Sequence, residues 1–334
     1  MDSNKNKLSN SDQLSLVLEK IKQQYPGQQI HITKAPQRGL SGAALYLVHI
    51  DDQPALLKLL EQPNLNSFRY HQKAAEVAIA PKLLYYDLKL GFSLSEWIAS
   101  QPLQDSFQPA VLSHQLATTL SKLHRANITG NRIHVFDKIQ AIIDDYQQSL
   151  VIHNQVIDTT IAQFQVIKSV YPFEAEDLVP CHGDLNPSNI LTDSQQIYLI
   201  DWEAAHIGNR YVDLAAICNS FFRTKEDEQA FLEQYLGHPA SETEEAKLYL
   251  MRICSRLLYA LLMLHLADKG RPSDTPLDSN MEGMTLAYFT EQIASKNISL
   301  GTYEGQLLYS KACFNQVHQE VSSNRYAKTI NYFA

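Results

Sequence analysis

The stretch VPCHGDLNPSNILTDSQQIYLIDWEAA, residues 179–205, decides how this chain reads. It is a short β-rich island in otherwise helical surroundings. It places His182, Asp184 and Asn189 on a turn-rich loop, followed by an apolar strand, Ile197–Ile200, that ends in Asp201. An acid at a strand end has a fixed backbone and an open carboxylate. An Asp and an Asn five residues apart, with Pro187 and Ser188 between them, can converge on one metal ion. Phosphoryl transfer needs this set of groups: one carboxylate to meet an acceptor hydroxyl, and a second carboxylate with an amide oxygen to hold Mg²⁺ against nucleotide phosphates.

Any one of these residues alone carries little weight. A loop Asp is ordinarily solvated or a cap, and an Asn beside Pro and Ser is ordinary turn chemistry. The weight lies in the whole pattern, H-G-D-x4-N, then eleven residues that end in an apolar strand, then Asp. A carboxylate is too weak a base to ionise an alcohol beforehand. Asp184 is therefore expected to orient the hydroxyl and accept its proton late. The larger share of catalysis would come from Mg²⁺ and cationic side chains neutralising phosphate charge.

Working outward, residues 11–24 set Leu14, Val17, Leu18 and Ile21 on one helical face. Short strands follow at Gln29–Thr33, Ala44–Ile50 and Ala55–Leu60, separated by the turn signals RGLSG and DDQP. A helix over about Ser67–Val77 and a strand over Lys82–Tyr86 come next. From about Ser93 the pattern turns helical, with an amphipathic helix over Val111–His124 and a long helical stretch over Ile139–Val170; helices resume after Val212. The expected fold is α+β and bilobal: a β-rich N-lobe over residues 1–88 and a large, mostly helical C-lobe over residues 89–334.

CHGDLNPSNIL followed by LIDWEAA resembles the aminoglycoside phosphotransferase and choline/ethanolamine kinase superfamily, closest to its choline, ethanolamine and thiamine kinase branch. Those enzymes resemble protein kinases, with H-G-D in place of H-R-D and I-D-W/F-E in place of D-F-G. The resemblance implies a protein-kinase-like fold. It makes Asp184 the catalytic base or hydroxyl-positioning residue, and Asn189 and Asp201 the Mg²⁺ ligands. His182 and Asp213 become structural braces. In QRGLSGAALYLV, residues 37–48, Gly39 and Gly42 would let the backbone approach ATP phosphate and Ser41 would donate to it. Lys58, in PALLKLL, stands where the family's phosphate-binding lysine stands.

Two departures from the family's pattern stand out. The helix after Lys58 reads SFRYHQKAAEVAIAPKLL, and Glu76, late in it, is the only acid available to pair with the lysine. Between LLYYD and SLSEWI only LKLGF remains, a short hinge for holding adenine. These keep open a catalytically degraded, nucleotide-binding pseudokinase. A protein kinase is disfavoured, since D-F-G and A-P-E are both missing. For the acceptor, GNRYVDLAA resembles choline and ethanolamine kinases more than aminoglycoside enzymes. An ammonium group seeks aromatic faces and carboxylates, and the candidates are Trp202, Glu203, Tyr249 and Tyr259. Residues 226–245 carry many acids and no Lys or Arg, either as a solvated face or as the rim of a cationic substrate's pocket.

The expected reaction moves the ATP γ-phosphate to a small, cationic alcohol, choline or ethanolamine first, with thiamine or an aminoglycoside as alternatives. The net charge of -8 disfavours a nucleic-acid partner. Four separated cysteines without a CxxC pair disfavour a zinc site or a disulfide framework and suit a cytoplasmic setting. The polar N-terminus is not expected to be a signal peptide. Leu257–Leu266 is too short to span a bilayer, so no membrane insertion is expected. The sequence gives no indication of oligomeric state.

Overall fold

The computed structural model describes residues 10–35, 43–60, 62–149, 152, 154–276 and 278–334. Ser41 and Gly42, read as phosphate-contacting residues, lie outside the described residues, as does Gly39. The chain divides into two compact units. One holds residues 1–115, 126–128 and 188–205, and the other 116–125, 129–187 and 206–334. The first unit thus runs past residue 88 and takes in residues 188–205 of the motif.

In the first unit, helix α1 (Asn10–Gln24) precedes an antiparallel sheet of β1 (Ile30–Lys34), β2 (Ala44–Ile50), β3 (Gln53–Leu59), β4 (Leu83–Asp87) and β5 (Phe92–Glu96). The strand order is β1-β2-β3-β5-β4. Side chains alternate between the two faces of a strand, and that alternation gives the sheet two uses. Val48, Ile50, Ala55, Leu57, Leu59, Phe92 and Leu94 share one face and form a core with Val17 and Ile21 of α1. Leu45, Leu47, Leu56, Lys58, Ser93 and Ser95 line a cavity instead. Helix α2 (Leu65–Glu76) lies between β3 and β4 and is capped by Asn64, whose side chain accepts from the Asn66 N–H.

The strand β5 corrects the expectation of an abbreviated hinge and of helix from Ser93. Leu88–Gly91 is a tight turn between β4 and β5. Asp87 Oδ1 accepts the backbone N–H groups of Lys89 and Leu90, and Gly91 takes φ 67°. A Cβ at Gly91 would stand 2.9 Å from the Leu60 carbonyl oxygen, so only glycine fits. SLSE therefore pairs with β3, and the linker that follows is Trp97–Gln101. Helices α3 (Leu103–Ser106) and α4 (Pro109–His124) come after it, and the division between the units falls within α4. The first unit closes with a hairpin, β7 (Ile190–Thr192) and β8 (Ile197–Leu199).

The second unit is mostly helical. Helices α5 (Val135–Ser149) and α6 (Gln155–Val170) replace the single long helix expected over Ile139–Val170. The break has a local cause: Asn154 caps α6 by accepting from the Val156 N–H. A two-stranded ladder of β6 (Leu178–Cys181) and β9 (His206–Asn209) flanks the motif loop. Helices α7 (Tyr211–Phe221), α8 (Lys225–Leu236), α9 (Glu242–Gly270), α10 (Leu286–Ala294), α11 (Tyr303–Val321) and α12 (Asn324–Phe333) complete it. Helix α9 starts at a capping box between Ser241 and Glu244. It is long and apolar enough to cross a bilayer, but most of it is buried within the protein.

Gly208 has a packing reason of its own. A Cβ there would meet the ring of the buried His206 at 2.5 Å. Gly208→Ala is expected to destabilise the protein by about 1–3 kcal/mol, the usual cost of overpacking. A lower denaturation midpoint at unchanged m-value would show it, and an unchanged midpoint would refute it.

Candidate functional site

The β7–β8 hairpin sets the geometry around Asn189 and Asp201. Its turn is fixed by Asp193, whose Oδ1 accepts the N–H groups of Gln195 and Gln196, and by Thr192 Oγ1, which donates to the Gln196 carbonyl. Ile190 then pairs with Leu199, and the Ile200 N–H donates to the Asn189 carbonyl at 3.0 Å. Asn189 enters the hairpin where Asp201 leaves it, so the eleven intervening residues bring the two together. Asp201 itself has φ 66° and ψ 66°. That left-handed conformation is uncommon outside glycine, and Asp tolerates it better than most residues.

The hairpin is tied to the rest of its unit by backbone hydrogen bonds. The Leu199 N–H donates to the Ile79 carbonyl at 2.7 Å, and the Gln101 N–H to the Thr192 carbonyl at 2.9 Å. Asp201 is thereby delivered to β3. Lys58 Nζ lies 2.9 Å from Asp201 Oδ1 and 2.6 Å from Glu203 Oε1. Burial works against the charge on Lys58, but Asp201 and Glu203 outweigh it and hold the ammonium above its ordinary range.

The lysine's acid partners thus come from the I-D-W-E segment and not from α2. Glu76 is half exposed and pairs with Lys73 in its own helix at 2.6 Å. In the middle of α2 stands His71, whose Nε2 donates to the Pro81 carbonyl at 2.8 Å. Burial pushes its imidazole down to about 4, and the Lys58 charge adds to the effect. Helix α2 still helps to shape the site: Asn66 Nδ2 donates to the Ala205 carbonyl at 2.9 Å and holds the chain just after Glu203.

These groups border a cavity of about 540 Å³. One wall is the sheet face with Leu47, Leu56 and Lys58; another is the linker Trp97–Gln101; Asn189, Asp201 and Glu203 form the polar end. Trp202 lines the same cavity. It is buried, with its indole N–H donated to the Leu199 carbonyl at 3.2 Å. Trp202 and Glu203, taken from the sequence as acceptor-binding residues, therefore stand with the lysine. The Asp201 carboxylate and the Asn189 amide oxygen are both hard oxygen donors, which fits a magnesium ion.

In the second unit, the H-G-D turn is built around Asp213, the acid in the first turn of α7. Asp213 is buried and accepts the backbone N–H groups of His182 at 2.8 Å and Gly183 at 2.9 Å. His124 Nε2 donates to it at 3.1 Å. Burial opposes the Asp213 charge, but His124, His182 and the Gly183 N–H outweigh that and hold its carboxyl below the usual range. Gly183 takes φ 80°, which explains the glycine of the motif. The Asp184 N–H donates to His182 Nδ1 at 3.3 Å, so His182 shapes the turn.

The Asp184 carboxylate is half-buried. Its Oδ1 accepts from Tyr259 Oη at 2.8 Å and from Asn186 Nδ2 at 3.2 Å. Its charge also acts on Tyr309 of α11 and on Lys138 of α5. Burial holds the Lys138 ammonium below the ordinary lysine range, with Asp184 pulling the other way. Asn186 lies inside the quoted motif and was open to reading as a loop amide beside the acid. Lys138 has no such signal, because nothing in α5 sets it apart from a surface lysine.

Tyr249 and the acidic stretch have packing roles. Tyr249 stacks under the Arg325 guanidinium, 3.9 Å from its ring centre. Glu228 is buried and pairs with Arg252 and, at 2.9 Å, with Arg325. Glu226, Asp227, Glu242, Glu244 and Glu245 sit in the first turns of α8 and α9, where acids suit the helix dipole.

Residues 37–249 match the model of the phosphotransferase enzyme family (APH). A protein LicA homolog of Mycoplasma capricolum is 25% identical over 198 residues, which span 58% of this chain and 76% of that protein. A choline/ethanolamine kinase family protein from Mesorhizobium loti superposes with a TM-score of 0.69 at 14% identity, covering 97% of this chain and 98% of that one. The choline kinase LicA from Streptococcus pneumoniae superposes with a TM-score of 0.60 at 16% identity, covering 91% and 99%.

Proposed function

The chain belongs to the phosphotransferase enzyme family, whose members are kinases acting on a hydroxyl group, and we propose that it transfers the ATP γ-phosphate to a small amino alcohol, choline or ethanolamine first. The observation that carries the nucleotide half is the Lys58–Asp201–Glu203 cluster at one end of a cavity whose walls include Leu45, Leu47, Leu56 and Leu191. The likeness to choline kinases supports the acceptor half, together with two aromatic side chains, Tyr259 and Tyr309, around the Asp184 carboxylate. A carboxylate among aromatic rings is a suitable surround for an ammonium group.

In this reading the apolar walls and the linker Trp97–Gln101 hold the base. Lys58 meets the phosphate charge, with Glu203 holding its flexible stem. Asn189 and Asp201 would hold Mg²⁺, which when bound supplies positive charge against the phosphates. Asp184 orients the acceptor hydroxyl, so that its oxygen forms the new bond to the γ-phosphorus as the bond to the ADP oxygen breaks. The hydroxyl proton passes to the Asp184 carboxylate late in that step. Little of the barrier is left to proton abstraction, and positioning and charge carry the rest.

A second reading has one observation in its favour. Lys138 is a cation that feels the Asp184 charge, and it would work against a permanently charged acceptor. A neutral alcohol would suit it better. An ADP-release assay across amino alcohols, thiamine, sugars and aminoglycosides separates the two. The highest kcat/KM is expected on choline or ethanolamine. A preference for an uncharged sugar or alcohol, or turnover of aminoglycosides alone, would overturn the first reading.

The lysine's partner is testable separately. Glu203→Gln is expected to raise the KM for ATP by about fivefold, the upper range for a partly exposed ion pair. Glu76→Ala is expected to leave that KM unchanged. A silent Glu203→Gln with a damaging Glu76→Ala would reverse the assignment.

A further inference from the structure

Two donors grip one oxygen of Asp184. Asn186 is two residues along the same loop and moves with it. Tyr259 belongs to another element, the long helix α9, where its neighbours Leu257, Leu258, Ala260 and Leu261 are buried. Helix α9 is itself anchored to α11, in part through Ser310 Oγ, which donates to the Ala260 carbonyl at 2.8 Å. The 2.8 Å contact from Tyr259 Oη therefore ties the working group of a loop to a packed, central helix.

We propose that Tyr259 is a positioning residue for the phosphoryl-transfer step: its hydroxyl fixes the plane of the Asp184 carboxylate so that the proton-accepting group meets the acceptor in one orientation. The terminal torsion of an aspartate is broad and needs an outside contact to set it. A hydrogen bond to a charged acceptor is about twice as strong as one between neutral groups. Small misplacements at a reacting centre lower rates steeply. The phenol suits the task because burial, and then the Asp184 charge, raise its proton affinity well above the ordinary range. It stays a donor at every working pH. Other groups near Asp184, among the described residues, include Lys138 on α5, Tyr309 on α11, and His182 and Asn186 on its own loop. Tyr309 is engaged with Cys313.

The inference rests on Asp184 as the proton acceptor, and its test is chosen to separate the two claims. Tyr259→Phe keeps the ring and removes only the hydroxyl. With choline as the probe, kcat is expected to fall about tenfold, with the choline KM and the calorimetric Kd for Mg·ATP within about twofold. In an Asp184→Asn background the same substitution is expected to cost nothing further, because it acts through that carboxylate. Asn186→Ser, on the loop and away from the helix core, is expected to give a smaller fall with the same unchanged KM, and serves if the Phe variant is unstable. Wild-type kcat in a folded Tyr259→Phe variant, or in Asn186→Ser where the Phe variant is unstable, overturns the proposal. So does a raised choline KM at unchanged kcat, which would make Tyr259 an acceptor contact, or an equal loss in both backgrounds. Full activity of Asp184→Asn alone would remove the premise, and absence of turnover by the wild type on any acceptor would remove the kinase reading with it.

Discussion

Asp184→Asn is expected to lower kcat by at least about a hundredfold, the low end of general-base contributions, while the affinity for Mg·ATP stays within about twofold. The substitution is close to isosteric. The amide oxygen can still accept from Tyr259 Oη and Asn186 Nδ2, which both donate to Oδ1 in the structure. The turn beneath it is held by Asp213 through the His182 and Gly183 N–H groups and does not depend on the Asp184 charge. In the proposed role, what is lost is the capacity to take a proton and the negative charge that would orient the acceptor hydroxyl. The loss should therefore appear in kcat and in the single-turnover rate, with little change in melting temperature or nucleotide binding. Turnover near the wild-type rate would take Asp184 out of the reaction and leave the nucleotide cluster without a proton acceptor from this loop.

The residues that short sequence spacing brings together were legible in advance. H-G-D-x4-N and the strand-end Asp are close along the chain, and a hairpin is the only way eleven residues return Asp201 to Asn189. Lys58 was legible only through the family resemblance, since an alternating strand alone fits an outward-facing lysine equally well. Its partner was not. Glu203 follows Asp201 by two residues, but it reaches Lys58 with β8 docked through the Leu199 N–H onto the Ile79 carbonyl, a contact 120 residues apart that no local pattern announces. Glu76 attracted the assignment because it was the only acid on the expected helix; that helix lends Asn66 to the site instead. The fifth strand was missed for a similar reason. SLSE is small and polar at alternate positions because Ser93 and Ser95 line a cavity, which weakens the pattern that marks a half-buried strand.

Asp201→Asn is expected to abolish the Mg²⁺-dependent part of nucleotide binding, and asparagine is the informative substitution because of the backbone. Position 201 has φ 66°, which Asn adopts readily and Ala does not, so Asp201→Ala would mix loss of a ligand with strain in the turn. Asparagine keeps an oxygen at the site and removes the charge. A neutral amide is a poor exchange for a carboxylate on a small, hard dication. The loss also reaches Lys58, which would keep only Glu203, a half-exposed carboxylate, as its acid partner. Lysine alone cannot stand in for a divalent ion, since one charge on a flexible stem does not bridge two phosphates. Calorimetry with ATP in the presence of Mg²⁺ and again with EDTA should give two different affinities for the wild type and a single weak one for Asp201→Asn. Asn189→Ala should lie between them, because it removes a neutral ligand that water can replace. An Asp201→Asn protein that binds Mg·ATP as tightly as the wild type would move the metal away from the β7–β8 hairpin and leave the Lys58–Asp201 contact as a structural ion pair.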